Sequence, residues 1–305
     1  MHLEIPRESA RDRFLIVRSL PAFAPLPDEA LNIIAEHTRP RFFQPGEVLF
    51  EEGSPAQSVY LVHQGTVTLS TRGHTISHIE APGGVGFLSV LANAPLPEAV
   101  AQTAVAALEL PVDVLLETME MNFIYQRNSL RLSSGALLDI RGSLPRDPSV
   151  HLALDIGQWR DRPQTLVEKM LEVQDGFAFQ GANIDAIIDL ARLTEEVRFE
   201  AGQTIWNAGE PSDFSVRINY GIVRCESPDG RHVEVGADFI AGALDILGHR
   251  PRAYSAVTTT PVVATRTRRD DMLALLEMHP ELGMKLVRLF AANMLREMTK
   301  APKSA

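Results

Sequence analysis

The apolar positions of this chain follow two periods. Behind Pro27, Asp28 and Glu29, the residues Leu31, Ile33 and Ile34 predict a short helix over 27–37, with acids in its first turn where the dipole favours them. Residues 183–193 repeat the pattern with Ile184, Ile187, Ile188 and Leu190. Short apolar runs follow, Val48–Phe50, Val59–Val62 and Thr66–Leu69, bounded by glycine-centred turns, and these predict strands. Between 214 and 220, Phe214, Val216, Ile218 and Tyr220 alternate with Ser215, Arg217 and Asn219, the period-two pattern of a half-buried strand. Many short strands with regular turns predict a mainly β fold, a small sandwich or jelly-roll barrel with flanking helices. Helical sequence closes each run. The first covers 113–140, with Val114, Leu115, Met119, Phe123, Leu130 and Leu137. The second covers 270–298, where Leu282, Leu286, Phe290, Met294 and Met298 recur every fourth residue. Leu289 and Leu295 widen that last stripe, which suits packing on its own barrel and a homodimer seam equally.

The two runs are one pattern written twice. Moving residues 22–110 forward by 156 positions lays Gly46 on Gly202, Gly53 on Gly209, Pro55 on Pro211, Gly65 on Gly221, Gly86 on Gly242 and Pro95 on Pro251, and this reading needs no gap. Phe23 falls on Phe179, Phe43 on Phe199, Val67 on Val223 and Leu88 on Leu244. Glycine and proline mark where the backbone turns, so a shared register implies shared backbone geometry. A period this long means tandem domains. The expected organisation is a lead-in 1–21, a first domain 22–142, a linker and short helix 143–176, a second domain 177–300 and a tail 301–305. Pro145, Pro148 and Pro163 lie in the linker, with its helix over 164–174.

Composition narrows the function classes. The chain has 305 residues, room for two ordinary domains, and a formal charge of −10 from 29 basic and 39 acidic residues. Phosphate neutralisation dominates nucleic-acid binding, so this balance argues against a nucleic-acid partner. The densest basic cluster, Arg266, Arg268 and Arg269, runs straight into Asp270 and Asp271 and reads as a solvated turn. No run approaches the apolar length of a membrane span, and the first 20 residues carry no signal-peptide pattern, so a cytoplasmic location and no membrane insertion are expected. The single cysteine, Cys225, is expected to be a buried, inert thiol. His74, His78 and Glu80 share one strand face, yet the second copy does not repeat them and no fourth ligand is evident, so a polar face outweighs a metal site. No phosphate-cradling loop, nucleophile elbow or zinc-ligand pair is present, so no enzyme is expected; a metal-dependent barrel enzyme is the residual catalytic alternative.

The run Phe43-Gln-Pro-Gly-Glu-Val-Leu-Phe-Glu-Glu-Gly53, then Pro55, Val59-Tyr-Leu-Val and Gly65-Thr-Val67, resembles the cyclic-nucleotide-binding domain of the catabolite activator protein and the protein kinase A regulatory subunit. Phe199–Gly209 fits more loosely. The resemblance implies two jelly-roll barrels, each with N-terminal helices and a C-terminal hinge and helix. It also implies a phosphate-binding cassette, Gly-Glu-Leu, a small or apolar run, then Pro-Arg-Ala-Ala-Thr/Ser. There the arginine pairs with the cyclic phosphate and the glutamate accepts from the ribose hydroxyl. The first copy places Phe87 at the glutamate and Leu96 at the arginine, with Glu98 nearby. A phosphate buried without a cation is unfavourable, so this pocket is expected not to bind a cyclic nucleotide, and Phe87 and Leu96 are candidates to fill it.

The second copy keeps Arg252 and Ser255 but has Ala243 for the glutamate. Its candidate ligand-binding residues are Gly242, Ala243, Leu244, Arg252, Ala253 and Ser255, with cAMP or cGMP as the ligand the resemblance allows there and no other cofactor. Arg250 and His249 add positive potential. Asp245 is expected to point elsewhere, and Arg252 could equally be a structural arginine paired with a carboxylate. No helix-turn-helix of the activator type is expected after the last predicted helix, and, since residues 1–20 lack a paired-arginine segment, no kinase-inhibitor role is expected. The reading is a non-enzymatic signalling regulator that acts through protein partners, with weak or altered nucleotide binding in the second domain; the alternative is a scaffold with both pockets closed.

Overall fold

A computed structural model of the protein describes residues 9–146, 153–176 and 179–299. Residues 1–8 of the lead-in, residues 147–152 and 177–178 around the linker, residue 300 and the tail 301–305 lie outside the described residues. The chain forms two compact units, Met1–Ser129 together with Val287–Ala305, and Leu130–Leu286.

In chain order the first run holds α1 (Ala10–Ser19), α2 (Asp28–His37), β1 (Arg39–Phe43), β2 (Val48–Phe50), β3 (Ser58–Gln64), β4 (Thr66–Thr71), β5 (His74–Glu80), β6 (Gly83–Val85), α3 (Phe87–Ala92), β7 (Glu98–Ala101), β8 (Val105–Pro111), α4 (Val112–Met121) and α5 (Phe123–Arg141). The second holds α6 (Leu166–Asp175), α7 (Ile184–Leu193), β9 (Glu195–Phe199), β10 (Thr204–Trp206), β11 (Phe214–Tyr220), β12 (Val223–Glu226), β13 (His232–Val235), β14 (Ile240–Ala241), α8 (Ala243–Gly248), β15 (Ser255–Thr258), β16 (Val262–Arg268), α9 (Arg269–Met278) and α10 (Pro280–Met298). Within the described part of the lead-in Ala10–Ser19 is helical, and Ser9 and Asp12 close a capping box at the start of that helix.

Each unit folds two four-stranded antiparallel sheets, mainly β with flanking helices, and their topologies agree strand for strand. The orders β1-β8-β3-β6 and β2-β7-β4-β5 become β9-β16-β11-β14 and β10-β15-β12-β13. Inside the first barrel Phe43, Tyr60, Val62, Val67, Val85 and Ala107 pack together; inside the second Trp206, Val216, Ile218, Val223, Cys225 and Ala264 do.

The pairing register corrects the gapless repeat. Thr68 faces Val100 and Leu69 faces Ala99, whereas Arg224 faces Val257 and Cys225 faces Ala256. The partner strand is therefore offset by 157, although Leu96 and Arg252 make the same backbone bonds, Gly53 N–H to Leu96 O and Gly209 N–H to Arg252 O. One residue more lies between Arg252 and β15 than between Leu96 and β7.

Two more expectations change. The helical stretches 113–140 and 270–298 are each two helices, broken at Asn122 and at His279. Asn122 Nδ2 donates to Thr118 O at 2.8 Å, and His279 is the residue before Pro280, which the proline ring keeps out of the helical region. The alternation in β11 is incomplete, because Ser215 is buried alongside Val216 while Phe214 and Tyr220 are half-buried. In α10 the N-terminal part of the stripe is covered within one chain, where Leu282, Leu286, Val287, Phe290 and Ala291 are buried; Met294, Leu295 and Met298 are half-buried.

Candidate functional site

Gly86 and Gly242 both take left-handed backbone, φ 94° and φ 78°, directly before α3 and α8. Both helices end on a left-handed residue, Asn93 and His249. The two cassette helices thus share one backbone frame, and their side chains differ.

In the second cassette Arg252 is fully buried. Its guanidinium carbon lies 4.1 Å from the Trp206 ring centroid and 4.7 Å from that of Phe214, both cation–π distances, and Nη2 donates to Phe214 O at 2.6 Å. Asp245, expected to point elsewhere, instead brings Oδ2 to 3.9 Å from Arg252 Nη1, the two side chains being 1% and 0% exposed. Asp245 is the third residue of the six-residue α8 and lies on its buried face with Ile246, Leu247 and Gly248. Burial pushes the Asp245 carboxyl up to about 6, against the pull of Arg252. The same burial draws Arg252 down from the usual arginine range, while Asp245 supports its charge. Neither Asp245 oxygen meets a hydrogen-bond partner, nor do Arg252 Nε and Nη1.

The remaining predicted residues converge here in different roles. The Gly242 amide donates to Tyr254 Oη at 3.0 Å, and Trp206 Nε1 donates to Tyr254 O at 2.9 Å. A side chain on Gly242 would run into Arg252, since an added Cβ would lie 2.4 Å from Nη1. Ser255 Oγ accepts from the Ala208 amide at 2.9 Å and so ties down the loop after β10. Ala243, Leu244 and Ala253 are half-buried. Arg250 is exposed and pairs with Asp139 at 3.1 Å, and exposed His249 meets Arg269 Nη1 at 2.7 Å.

Three further groups pack against the cassette helix or the barrel within this unit. Ser134 and Gly135 of α5 approach to 3.3 Å of where a Gly248 side chain would begin. Leu144 packs into the second barrel's core, and Arg146 donates to Glu234 O on β13. Beyond them, Asp155 O accepts from Ala237 and Ile156 O accepts from Gly221, while Trp159 packs on Tyr220 at 5.1 Å. The proline-containing stretch expected as a linker is strapped to this barrel over residues 155–164.

The first cassette carries none of these charges. Leu96 is buried at the arginine position, and Ser89 stands where the second copy has Asp245. The Phe87 ring meets Phe23 edge-on at 6.0 Å and lies against Gly84. Glu98 is held by Ser70 Oγ at 2.8 Å. Elsewhere, His74, His78 and Glu80 are exposed on β5, and among the described residues no three His, Cys, Asp or Glu side chains gather as a metal site. Cys225 is buried, and burial pushes its thiol up to about 12. No helix among the described residues is long and apolar enough to cross a membrane.

Trp206, Phe214, Asp245 and Tyr254 were not among the residues singled out as binding. One signal was available: Tyr254 stands where the cassette pattern has its second small alanine.

Two matched barrels with paired cassettes define a class, and comparison with known proteins agrees. Residues 40–122 and 196–279, together more than half of the chain, match the cyclic nucleotide-binding domain. The chain belongs to the cyclic nucleotide-binding domain family and carries the domain twice. It is 33% identical over 123 residues to the CRP-like cAMP-activated global transcriptional regulator of Mycobacterium tuberculosis, covering 39% of this chain and 55% of that protein. It is 30% identical over 90 residues to an uncharacterized NTE family protein of Mycobacterium bovis, covering 29% of this chain and 15% of that one. The chain spans about half the length of the first of these relatives. Among solved structures, the regulatory domain of Toxoplasma gondii PKA with cAMP aligns over 91% of this chain and 97% of that chain, with TM-score 0.36 and 16% identity. The N-terminal domain of a transcriptional regulator from Streptomyces coelicolor A3(2) aligns over 44% and 99%, with TM-score 0.38 and 24% identity.

Proposed function

We propose that this protein is a non-catalytic signalling regulator that acts through protein partners, with its second cassette closed by its own side chains. The observation that carries this is the burial of Arg252 between Trp206, Phe214 and Asp245. A guanidinium already stacked and neutralised offers a ligand phosphate little. Partner binding is supported by α6, which buries none of its side chains and exposes Leu166, Val167 and Leu171. Titration calorimetry with cAMP and with cGMP at millimolar ligand tests the closed pocket, and silence is the expected result.

A second reading, weak cAMP or cGMP binding in the second domain, is favoured by one observation: Arg252 Nε and Nη1 are without hydrogen-bond partners. In that reading Arg252 holds the anion, with Ser255 and the Gly242 backbone in support. Heat that appears in the wild type and disappears in a D245S/R252L variant decides for it.

A further inference from the structure

We propose that Asp245 is an internal substitute for a bound phosphate, which makes the second cassette a self-liganded anion site and Asp245 the residue that excludes phosphate-bearing ligands. This rests on the closed-pocket reading and deepens it. Three observations carry the argument.

The first is geometric. Arg252 Nη1 lies beside Gly242, whose backbone amide is a second buried donor at this point of the cassette, and a guanidinium with a nearby backbone N–H is oxyanion-binding chemistry. Both donors are turned onto groups of the chain itself, Nη1 toward Asp245 at 3.9 Å and the amide onto Tyr254 Oη at 3.0 Å.

The second is the repeat. Where the second copy has Asp245 and Arg252, the first has Ser89 and Leu96, both buried. Anion and cation are lost together, as expected if each is present for the other. Ala253 and Tyr254 stand between Arg252 and β15, where the first copy has Pro97 alone between Leu96 and β7.

The third is the quality of the pair. At 3.9 Å with both carboxylate oxygens and two guanidinium nitrogens lacking hydrogen bonds, Asp245 balances the charge of Arg252 but does not satisfy its donors. A phosphate oxygen could do both, in the bidentate manner that guanidinium geometry favours. Repulsion from the carboxylate is what keeps it out.

The test is to neutralise Asp245 at constant shape and titrate wild type, D245N and D245S/R252L with inorganic phosphate and with cAMP, following folding by circular dichroism. D245N is expected to bind phosphate about tenfold to a hundredfold more tightly than wild type, and D245S/R252L, which copies the neutral pair of the first domain, is expected to bind none. Binding of phosphate alone marks a site that admits only the small anion beneath its cover; binding of cAMP as well marks a nucleotide pocket. Both support the proposal. A folded D245N that binds neither anion better than wild type overturns it and leaves the closed-pocket reading intact. Tight cAMP binding by the wild type removes that reading instead. If D245N does not fold while D245S/R252L does, added phosphate is expected to restore its fold, and failure to restore it overturns the proposal.

Discussion

Arg252 and Asp245 form a buried pair whose members cannot be removed one at a time. Truncating Arg252 to alanine leaves an uncompensated carboxylate, a change that costs about 3–5 kcal/mol in buried pairs. The D245S/R252L variant removes both charges, so urea denaturation is expected to show it losing less stability than R252A alone, the non-additivity of a double-mutant cycle. The carboxyl also makes stability depend on pH. Its folded value, about 6, lies above the ordinary carboxylate value, so the native state binds the proton more tightly than the unfolded chain. Stability from this group is greatest below about pH 4 and falls as pH rises through about 6. Relative to D245N, the wild type is expected to lose on the order of 1–3 kcal/mol between about pH 4 and pH 7, read from denaturation midpoints at each pH. Cys225, with its thiol pushed up to about 12, is expected to resist a thiol-specific reagent in native protein and to react on unfolding.

Among the elements, the strap over residues 155–164 departs furthest from its sequence pattern. Charges and prolines describe a linker, but its carbonyls accept from Ala237 and Gly221, and its Trp159 packs on Tyr220 with Arg198 5.5 Å from the Trp159 ring. Gly157 permits this contact. Its φ is +76°, and an added Cβ would lie 2.2 Å from Asn219 O. Gly157→Ala is therefore expected to release the strap at a cost of about 1–3 kcal/mol, detected as a lower urea midpoint and faster proteolysis within 155–164. The cassette helices teach the converse. α3 and α8 have equal lengths and equal caps, because a left-handed glycine before and a left-handed residue after are local demands that survive change of the side chains between them.

At the scale of the molecule, one duplicated barrel has diverged in its interior while keeping its frame. The first unit is discontinuous in sequence and takes in Val287–Ala305. Val287 is completely buried, so Val287→Asp is expected to destabilise the protein by about 3 kcal/mol or more, measured as a drop in the thermal unfolding midpoint. The frame is the shared strand order, and the divergence is Arg252 with Asp245 in one interior against Leu96 with Ser89 in the other.

The sequence by itself determined the duplication, the mainly β architecture and the loss of the cassette glutamate from both copies. Those properties are written in local signals: glycines that must turn, apolar residues that must alternate, and residue types at fixed spacing. The tertiary structure alone decided the partner of Arg252, the extra residue that offsets β15 from β7, and the burial of Leu144 in the second barrel. Each of these is a through-space contact between residues brought together by folding, and such contacts depend on which side chains fill a shared interior rather than on the order in which they occur. Asp245 shows the boundary plainly. Its position was visible from the start, but only the packed cassette shows that it faces a buried cation.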